Sequence, residues 1–75
     1  MQQDFDIWLA NLPQALRDKP LWEYGDLSTF TGKPVATLRG DKMRCNGPKA
    51  IKVGQLVRFD PRDVFTWLEQ LREAA

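Results

Sequence analysis

The sequence predicts a mainly α-helical domain that carries a single small β-hairpin, an α+β fold. Apolar residues recur at helical spacing in the stretches 4–12, 23–30 and 64–71, which indicates amphipathic helices. Residues 47–59 read GPKAIKVGQLVRF, and two short β-like runs there flank a Gly-Gln pair. With 75 residues the chain makes one small domain, so its stability depends on packing these elements together.

The first helix is expected over residues 4–12. Its apolar positions follow the spacing i, i+3, i+4, i+7 and are Phe5, Trp8, Leu9 and Leu12. Asp4 can cap its start, and Pro13 ends or kinks it. We expect this stripe to pack in the core. The alternative is a self-association surface formed by Phe5, Trp8 and Leu9, because exposed aromatic side chains favour contacts with other molecules. Residues 1–20 are therefore read as an N-terminal helical extension and 21–75 as the main domain.

Two short helices joined by a tight turn are expected next, which is the spacing of a helix-turn-helix. The first contains Tyr24, Leu27 and Phe30 on one side. Gly32 is expected to end it in the left-handed conformation, and Pro34 suits the first turn of the following helix. The buried side of that second helix is predicted to consist of Val35, Leu38 and Met43.

The hairpin is expected to turn at or near Gly54 and Gln55. The face predicted to point inward carries Ile51, Val53, Val57 and Phe59, and the outward face carries Lys52, Leu56 and Arg58. In the last helix, Asp60 is a good N-cap and Pro61 fits the first position. Its apolar stripe is Val64, Trp67, Leu68 and Leu71. The order helix, turn, helix, hairpin, helix is that of a small winged-helix domain.

The composition argues against several classes of function. The chain has no histidine and a single cysteine, Cys45, so neither a common zinc site nor a His-based catalytic group is expected. We expect no enzymatic activity, no metal and no cofactor. No apolar run approaches the ~18 residues of a membrane helix, and the N-terminus does not resemble a signal peptide. A lone cysteine is typical of a reducing cytoplasm.

The charge is unevenly distributed although the net charge is only +1. Residues 1–32 have two basic and five acidic side chains, whereas residues 33–63 have eight basic and three acidic ones. A basic segment of this kind is the electrostatic pattern of a nucleic-acid surface. The alternative is an ordinary solvated surface of mixed charge.

The segment Thr37–Leu68 reads TLRGDKMRCNGPKAIKVGQLVRFDPRDVFTWL and contains, in order and without a gap, TL, GP, IKVG, VRF, D-V and WL. With this ordered set, residues 21–68 resemble the small helix-turn-helix proteins grouped with phage excisionases and AlpA-like regulators, whose DNA-binding unit is similar to that of MerR-type regulators. The resemblance implies a winged helix-turn-helix that binds double-stranded DNA without catalysis. Asp41, Cys45 and Gln55 depart from the pattern, which usually has a large apolar residue, Gly and Arg there. We expect Met43 to replace the packing lost at Asp41.

Site residues follow from the resemblance by position. On or beside the recognition helix it places Lys33, Val35, Ala36, Thr37, Arg39, Gly40 and Lys42. Arg39 is the expected base contact, because its guanidinium can pair with the edge of a guanine. Phosphates are expected to be neutralised by Arg44, Lys49, Lys52 and Arg58, with Gln55 at the tip of the wing.

The function implied by the resemblance is that of an excisionase, a recombination directionality factor of a phage or mobile element. Such a protein binds tandem sites, with cooperation between copies, and assists an integrase, here on the nucleoid in a bacterial cytoplasm. An AlpA-like transcriptional regulator is the first alternative. A protein-interaction adaptor or anti-repressor without DNA binding is the second, and it is favoured by Asp41, Gln55 and the acidic N-terminal third.

Overall fold

The computed structural model describes residues 2–74, and their side chains from Asp4 onward. Within that range the protein is a small α+β fold of five helices and one two-stranded antiparallel hairpin, which confirms the predicted class. The elements are α1 (Gln2–Ala10), α2 (Gln14–Arg17), α3 (Tyr24–Thr31), α4 (Val35–Met43), β1 (Ile51–Val53), β2 (Leu56–Arg58) and α5 (Pro61–Ala74).

The N-terminal helices share one hydrophobic core with the rest of the chain. The α1 stripe packs inward, and its edge residue Phe5 meets Phe65 of α5 with ring centroids 5.7 Å apart. Helix α1 ends at Ala10, three residues before Pro13. Pro13 is instead the N-cap of the extra helix α2, which was not predicted. Leu12 and Leu16 are buried in the same cluster as Val64 of α5. Segments 1–20 and 21–75 are therefore not separated by a gap in the packing.

The centre of the core is the contact between Trp22 and Phe59. Both side chains are almost completely buried, and their backbones exchange two hydrogen bonds of 2.8 Å. Trp22 thereby adds one antiparallel bridge just beyond β2. The indole Nε1 of Trp22 donates a hydrogen bond to the carbonyl of Leu16 at 3.2 Å. This pairing ties α2, the start of α3 and the base of the hairpin together.

The two central helices begin and end close to the predicted positions. Glu23 and Asp26 form a reciprocal capping box at the start of α3. Gly32 ends that helix with a φ of 79°, a left-handed conformation that residues with a Cβ rarely adopt. Pro34 is the N-cap of α4, one position earlier than the first-turn position predicted for it.

The pairing of the hairpin differs from the prediction. Its loop is the expected Gly-Gln pair, and Gly54 has a φ of 63°, as the first position of a type II′ turn requires. The two-residue loop pairs Val53 with Leu56. Two residues farther from the turn on each strand, Ile51 is paired with Arg58. Directly opposite residues and residues two apart lie on the same face of a hairpin. These four residues therefore share one face.

The other face of the hairpin is the one that meets the core. Phe59 is buried there, and Val57 and Ala50 pack against the core cluster. Lys52 pairs with Val57 and so belongs to this side, at its solvent-exposed end. The predicted assignment of Ile51 and Val53 to the inward face is wrong. The outward face is apolar, with Arg58 as its basic member.

The last helix starts as predicted, and its stripe is shorter than predicted. The Asp60 carboxylate accepts a hydrogen bond from the backbone N–H of Arg62 at 2.9 Å, as an N-cap does. Val64 and Trp67 are buried, and the Trp67 indole donates to the carbonyl of Asn46 at 3.0 Å. Leu71 is 48% exposed, so it is not part of the core.

Helix α4 ends in a Schellman motif whose left-handed residue is Cys45. Cys45 has a φ of 60°, its N–H bonds to the carbonyl of Lys42, and the N–H of Asn46 bonds to the carbonyl of Asp41 at 2.8 Å. Glycine is the usual residue at this position because a Cβ is strained there. Cys45 thus adopts the left-handed backbone conformation that glycine usually provides at this position, and the residue is exposed.

The variant Cys45→Gly is therefore expected to be more stable than the wild type, by about 0.5–1 kcal/mol, because relief of the left-handed strain outweighs the added freedom of the unfolded chain. The midpoint of urea unfolding in reducing buffer measures this difference. Cys45→Ala is the matched control, since it removes the thiol and keeps the Cβ. If alanine stabilises as much as glycine, backbone strain is not the cause.

Candidate nucleic-acid interface

The turn between α3 and α4 holds the predicted recognition helix in place. The Ser28 hydroxyl donates to the carbonyl of Lys33 at 2.6 Å, and the backbone N–H of Lys33 donates to the Thr31 hydroxyl at 3.2 Å. Leu38 anchors α4 in the core, and Val35 is half-buried beside it. The angle between the two helices is thus set by short polar bonds on one side and apolar packing on the other.

The exposed side of α4 carries small and basic side chains. Ala36, Thr37, Arg39 and Lys42 are all exposed. Small side chains allow a helix backbone to approach the base edges of a major groove, and basic ones at the borders can reach phosphates. This composition is compatible with a helix that contacts DNA.

A buried carboxylate lies under the C-terminal half of α4. Asp41 accepts hydrogen bonds from the Lys33 ammonium at 3.0 Å and from the Arg44 guanidinium at 3.1 Å. The hydrogen bond from Lys33 is the main cause that lowers the pKa of Asp41; burial opposes it, and the charges of Lys33 and Arg44 lower the pKa further. The expectation that Met43 replaces the apolar packing is wrong, because Met43 is 85% exposed. The carboxylate of Asp41 is thus stabilised by two ion pairs, and no apolar side chain takes its place in the packing.

The same cluster changes the availability of two predicted DNA-binding residues, Lys33 beside the recognition helix and the phosphate ligand Arg44. Lys33 and Arg44 each share their charge with Asp41, so the three residues together carry one net positive charge. Gly40 permits this arrangement: a Cβ built on it would lie 3.3 Å from the guanidinium nitrogens of Arg44. The Arg44 side chain thus passes over Gly40 to reach Asp41, and Gly40 is partly buried.

The variant Asp41→Asn is expected to be less stable than the wild type at neutral pH, because the amide cannot pair with two cations. Folding lowers the pKa of Asp41 from its ordinary value of 3.8. The stabilisation is therefore fully present above that value and is lost as the pH falls through the lower pKa of the folded state. We expect the stability difference between the two proteins to shrink as the pH is lowered below about 4 in urea unfolding measurements.

Asp6→Asn is the control for this experiment, because Asp6 is an exposed carboxylate on α1. Its stability should stay close to that of the wild type across the same range. A stability difference for Asp41→Asn that stays the same throughout the acid titration would mean that the ion pairs are not its source.

Arg39 connects the recognition helix to the base of the hairpin. Its guanidinium carbon lies 5.4 Å from the ring centroid of Tyr24, a cation–π distance, and Tyr24 packs edge-on against Phe59. The guanidinium remains exposed. The ring therefore holds Arg39 in an extended orientation at the α3–α4 surface and leaves its N–H groups available.

Arg58 is the predicted phosphate ligand that is least available. Its guanidinium forms an ion pair with Glu23 at 3.2 Å and donates a hydrogen bond to the carbonyl of Val57 at 2.9 Å. The side chain is only 24% exposed. Its main role in the fold is to join the hairpin to the N-terminus of α3.

The remaining basic candidates lie at the surface. Lys42 and Lys49 line the same shallow depression beside Cys45 and the Gly47–Pro48 turn. Lys52 is exposed on β1, and Gln55 is exposed at the hairpin tip. Among the described residues, no ion pair involves any of these three lysines. They and Arg39 are the positive charges with most freedom to meet a phosphate.

The predicted self-association residues face the protein's own core. Phe5 is 8% exposed, and Trp8 and Leu9 pack against the core cluster. The centroid of the Trp8 ring lies 6.1 Å from that of Trp22 and 5.7 Å from that of Phe30. A dimer built on these side chains would therefore have to open the core.

An exposed apolar face was missed by the sequence reasoning. Ile51, Val53 and Leu56 are 37%, 50% and 55% exposed and lie side by side on the outward face of the hairpin. We call these three residues the apolar ridge. The signal that could have revealed it is the two-residue loop, because an even loop length places Val53 and Leu56 on the same face.

The comparisons with known proteins do not identify a relative. The chain matches no protein-family model, and a search of curated proteins gives no match. In the described part of the chain, no helix is both long enough and apolar enough to cross a membrane. The functional assignment therefore depends on the geometry of the surface.

Proposed function

We propose that this protein binds double-stranded DNA as a winged helix-turn-helix, with α4 in the major groove and the hairpin as the wing. The observation that carries the proposal is the exposed side of α4, which combines small residues with Arg39 and Lys42 and follows a rigid turn. Lys49 and Lys52 extend the positive charge toward the hairpin. Such a surface can neutralise phosphates and present one arginine to the bases.

The biological role that fits this surface is that of an excisionase of a phage or mobile element, acting in a bacterial cytoplasm beside an integrase. One α4 of nine residues reads only a few base pairs, so a useful site requires several copies or a partner protein. Transcriptional activation by the same binding mode, as in AlpA-like regulators, is the alternative within the DNA-binding class.

A second candidate function is supported by a separate observation. The apolar ridge is exposed, and Glu23 and Asp41 pair with three of the basic residues that a DNA-binding surface would use. An adaptor or anti-repressor that binds another protein would have this pattern. Binding to random duplex at low salt separates the two candidates, since an adaptor has no such binding.

Two substitutions test the proposed roles on DNA. Arg39→Ala is expected to cost about 1–3 kcal/mol on a preferred site and much less on random duplex, because it removes a base contact. Lys52→Ala should weaken all duplexes alike and reduce the salt dependence by about one counterion. Fluorescence anisotropy with both kinds of duplex measures these effects.

Arg39→Lys is the matched control, because lysine keeps the charge but lacks the planar guanidinium fork that pairs with guanine in a fixed geometry. If it restores full sequence preference, Arg39 acts only through its charge. Equal losses on preferred and random duplex for Arg39→Ala would lead to the same conclusion.

A further inference from the structure

The shallow depression that Lys42 and Lys49 line has a third wall, which is formed by α5. Lys42 belongs to the last turn of α4, Lys49 to the chain that leads into β1, and Gln70 to the second half of α5. The Gly47–Pro48 turn also lines it. The depression has a volume of about 420 Å³. We call it the α4–α5 depression.

The walls of the α4–α5 depression are held together by contacts between its elements. The Trp67 indole donates to the carbonyl of Asn46 at 3.0 Å and so joins α5 to the chain just before the turn. Gln70 follows Trp67 by three positions, and residues three apart on a helix are neighbours on its surface. On the other side Gly47 packs on the end of α4, since a Cβ built on it would lie 3.8 Å from the Cβ of Asp41. The three walls therefore keep a fixed arrangement.

The charges around the α4–α5 depression favour an anion as its ligand. Two exposed lysines line it, and no carboxylate of the described residues does. Two other depressions, one between α1 and α5 and one beside α2, are lined by three and two carboxylates. Within the described residues neither lysine is held in an ion pair. The exposed amide of Gln70 adds two N–H donors. Cations and neutral donors together are what proteins use to bind phosphate oxygens.

We propose that the α4–α5 depression seats a stretch of the DNA sugar–phosphate backbone and that Gln70 of α5 is a DNA ligand. Lys42 and Lys49 neutralise neighbouring phosphates, and the Gln70 amide donates a hydrogen bond to a phosphate oxygen at the same place. The last helix thus helps to fix the position of the duplex without reading its sequence. This inference rests on the proposed function, to which it adds a third element in contact with DNA.

The position of the depression favours a DNA backbone over an isolated ion. Arg39 and Lys42 are three positions apart on α4, so the depression begins where the proposed recognition face ends. On its other side Lys49 leads into β1, which carries Lys52. A backbone that runs from α4 to the hairpin therefore crosses it. Its volume lies within the roughly 300–1,000 Å³ of sites that hold small organic molecules, which leaves room for a sugar as well as a phosphate.

Fluorescence anisotropy with random duplex at several salt concentrations tests this role. Gln70→Lys places a third positive charge in the depression. The slope of log affinity against log salt should therefore steepen by about 0.9, and the affinity at about 0.1 M salt should rise roughly 8-fold. Gln14→Lys is the matched control, because Gln14 is exposed on α2 and lies outside the depression. It adds the same charge and should keep a slope close to that of the wild type.

The neutral variant Gln70→Ala tests the hydrogen bond separately from charge. It should weaken binding to all duplexes by roughly 2–10-fold. The salt slope should stay unchanged, because a neutral donor releases no counterion. Gln14→Ala should bind as the wild type does. Far-UV circular dichroism confirms that the variants are folded, as expected for changes at exposed positions.

Inorganic phosphate is the probe for the other source of the same chemistry. Exchange of chloride for phosphate at constant ionic strength, up to about 10 mM phosphate, should leave the affinity for duplex unchanged, because a single ion lacks the linked phosphates that engage both lysines. Displacement of the duplex by phosphate at or below about 1 mM would show that the depression binds the free anion and would overturn the proposal.

The same measurements distinguish the failure of this inference from the failure of the proposed function. A wild type that does not bind random duplex at low salt would overturn both. A wild type that binds, with Gln70→Lys and Gln14→Lys giving equal salt slopes, would overturn the inference alone. A Gln70→Ala protein that binds as tightly as the wild type would also remove Gln70 from the DNA contact.

Discussion

Replacing Trp22 with alanine is expected to destabilise the protein by about 3–5 kcal/mol. Its indole is fully buried and touches Trp8 and Phe30, and its backbone pairs with Phe59. The cavity left by an indole cannot be refilled, because the neighbouring rings are held by their own contacts on several elements. A domain of this size has a total stability of roughly 4–11 kcal/mol, so the variant should be close to unfolded at room temperature.

Urea unfolding followed by circular dichroism measures the loss. Trp22→Phe keeps most of the ring and loses the hydrogen bond from Nε1 to the carbonyl of Leu16, so a smaller loss of about 1–2 kcal/mol is expected. Leu71→Ala is the control at a large exposed side chain and should change stability by no more than about 0.5 kcal/mol. A Trp22→Ala protein as stable as the Leu71→Ala protein would mean that the core is not centred on this residue.

The second large effect is expected on DNA binding, from the triple variant Lys42→Ala, Lys49→Ala and Lys52→Ala. These lysines are exposed, and within the described residues none is committed to an ion pair. If each releases one counterion on binding, the slope of log affinity against log salt should fall by about 2.7 in magnitude. At about 0.1 M salt the affinity for any duplex should drop roughly 10²–10³-fold.

A second triple variant separates this effect from a general loss of charge. Arg17, Lys19 and Arg72 are exposed basic residues outside the proposed surface, and changing all three to alanine removes the same number of charges. That variant should keep most of the salt slope of the wild type. Similar losses for the two variants would indicate a non-specific response to net charge.

Local signals allowed most of the elements to be predicted. The apolar spacing of α1, α3 and α5 identified those helices, Gly32 the end of α3 and Asp60 the start of α5. Each of these features depends on residues within one or two helical turns, so a sequence window contains the information. The short helix α2 was not predicted, because four residues are too few to show the helical period of apolar residues.

Features decided by distant contacts were not predictable in the same way. Arg58 pairs with Glu23, which lies 35 positions away, and Phe59 meets Trp22 across a similar distance. The inward face of the hairpin follows from that second contact. Asp41 was recognised as unusual in an apolar position, but its partner Lys33 precedes the helix and could not be read from helical spacing.

The prediction of the candidate site was limited in the same way, because contacts between residues far apart in the sequence decide which of its side chains are available. Charge distribution and the resemblance together identified the basic candidates of 33–63, and the structure shows that Lys33, Arg44 and Arg58 are held by carboxylates while Lys42, Lys49 and Lys52 are exposed. Ile51 and Val53 of the apolar ridge were assigned to the core because apolar residues in a strand are usually buried, whereas Leu56 was predicted to face outward. The two-residue loop places the three residues on one face, and the contact of Phe59 with Trp22 turns the opposite face to the core.

The most direct test of DNA binding through α4 and the hairpin is a titration of isotope-labelled protein with a short random duplex at low salt, followed by NMR. The account predicts that the backbone amides with the largest shifts are those of Ala36, Thr37, Arg39, Lys42, Lys49 and Lys52, and that these shifts disappear as salt is added. Spectra that do not change with excess duplex, or changes confined to α1 and α5, would contradict it.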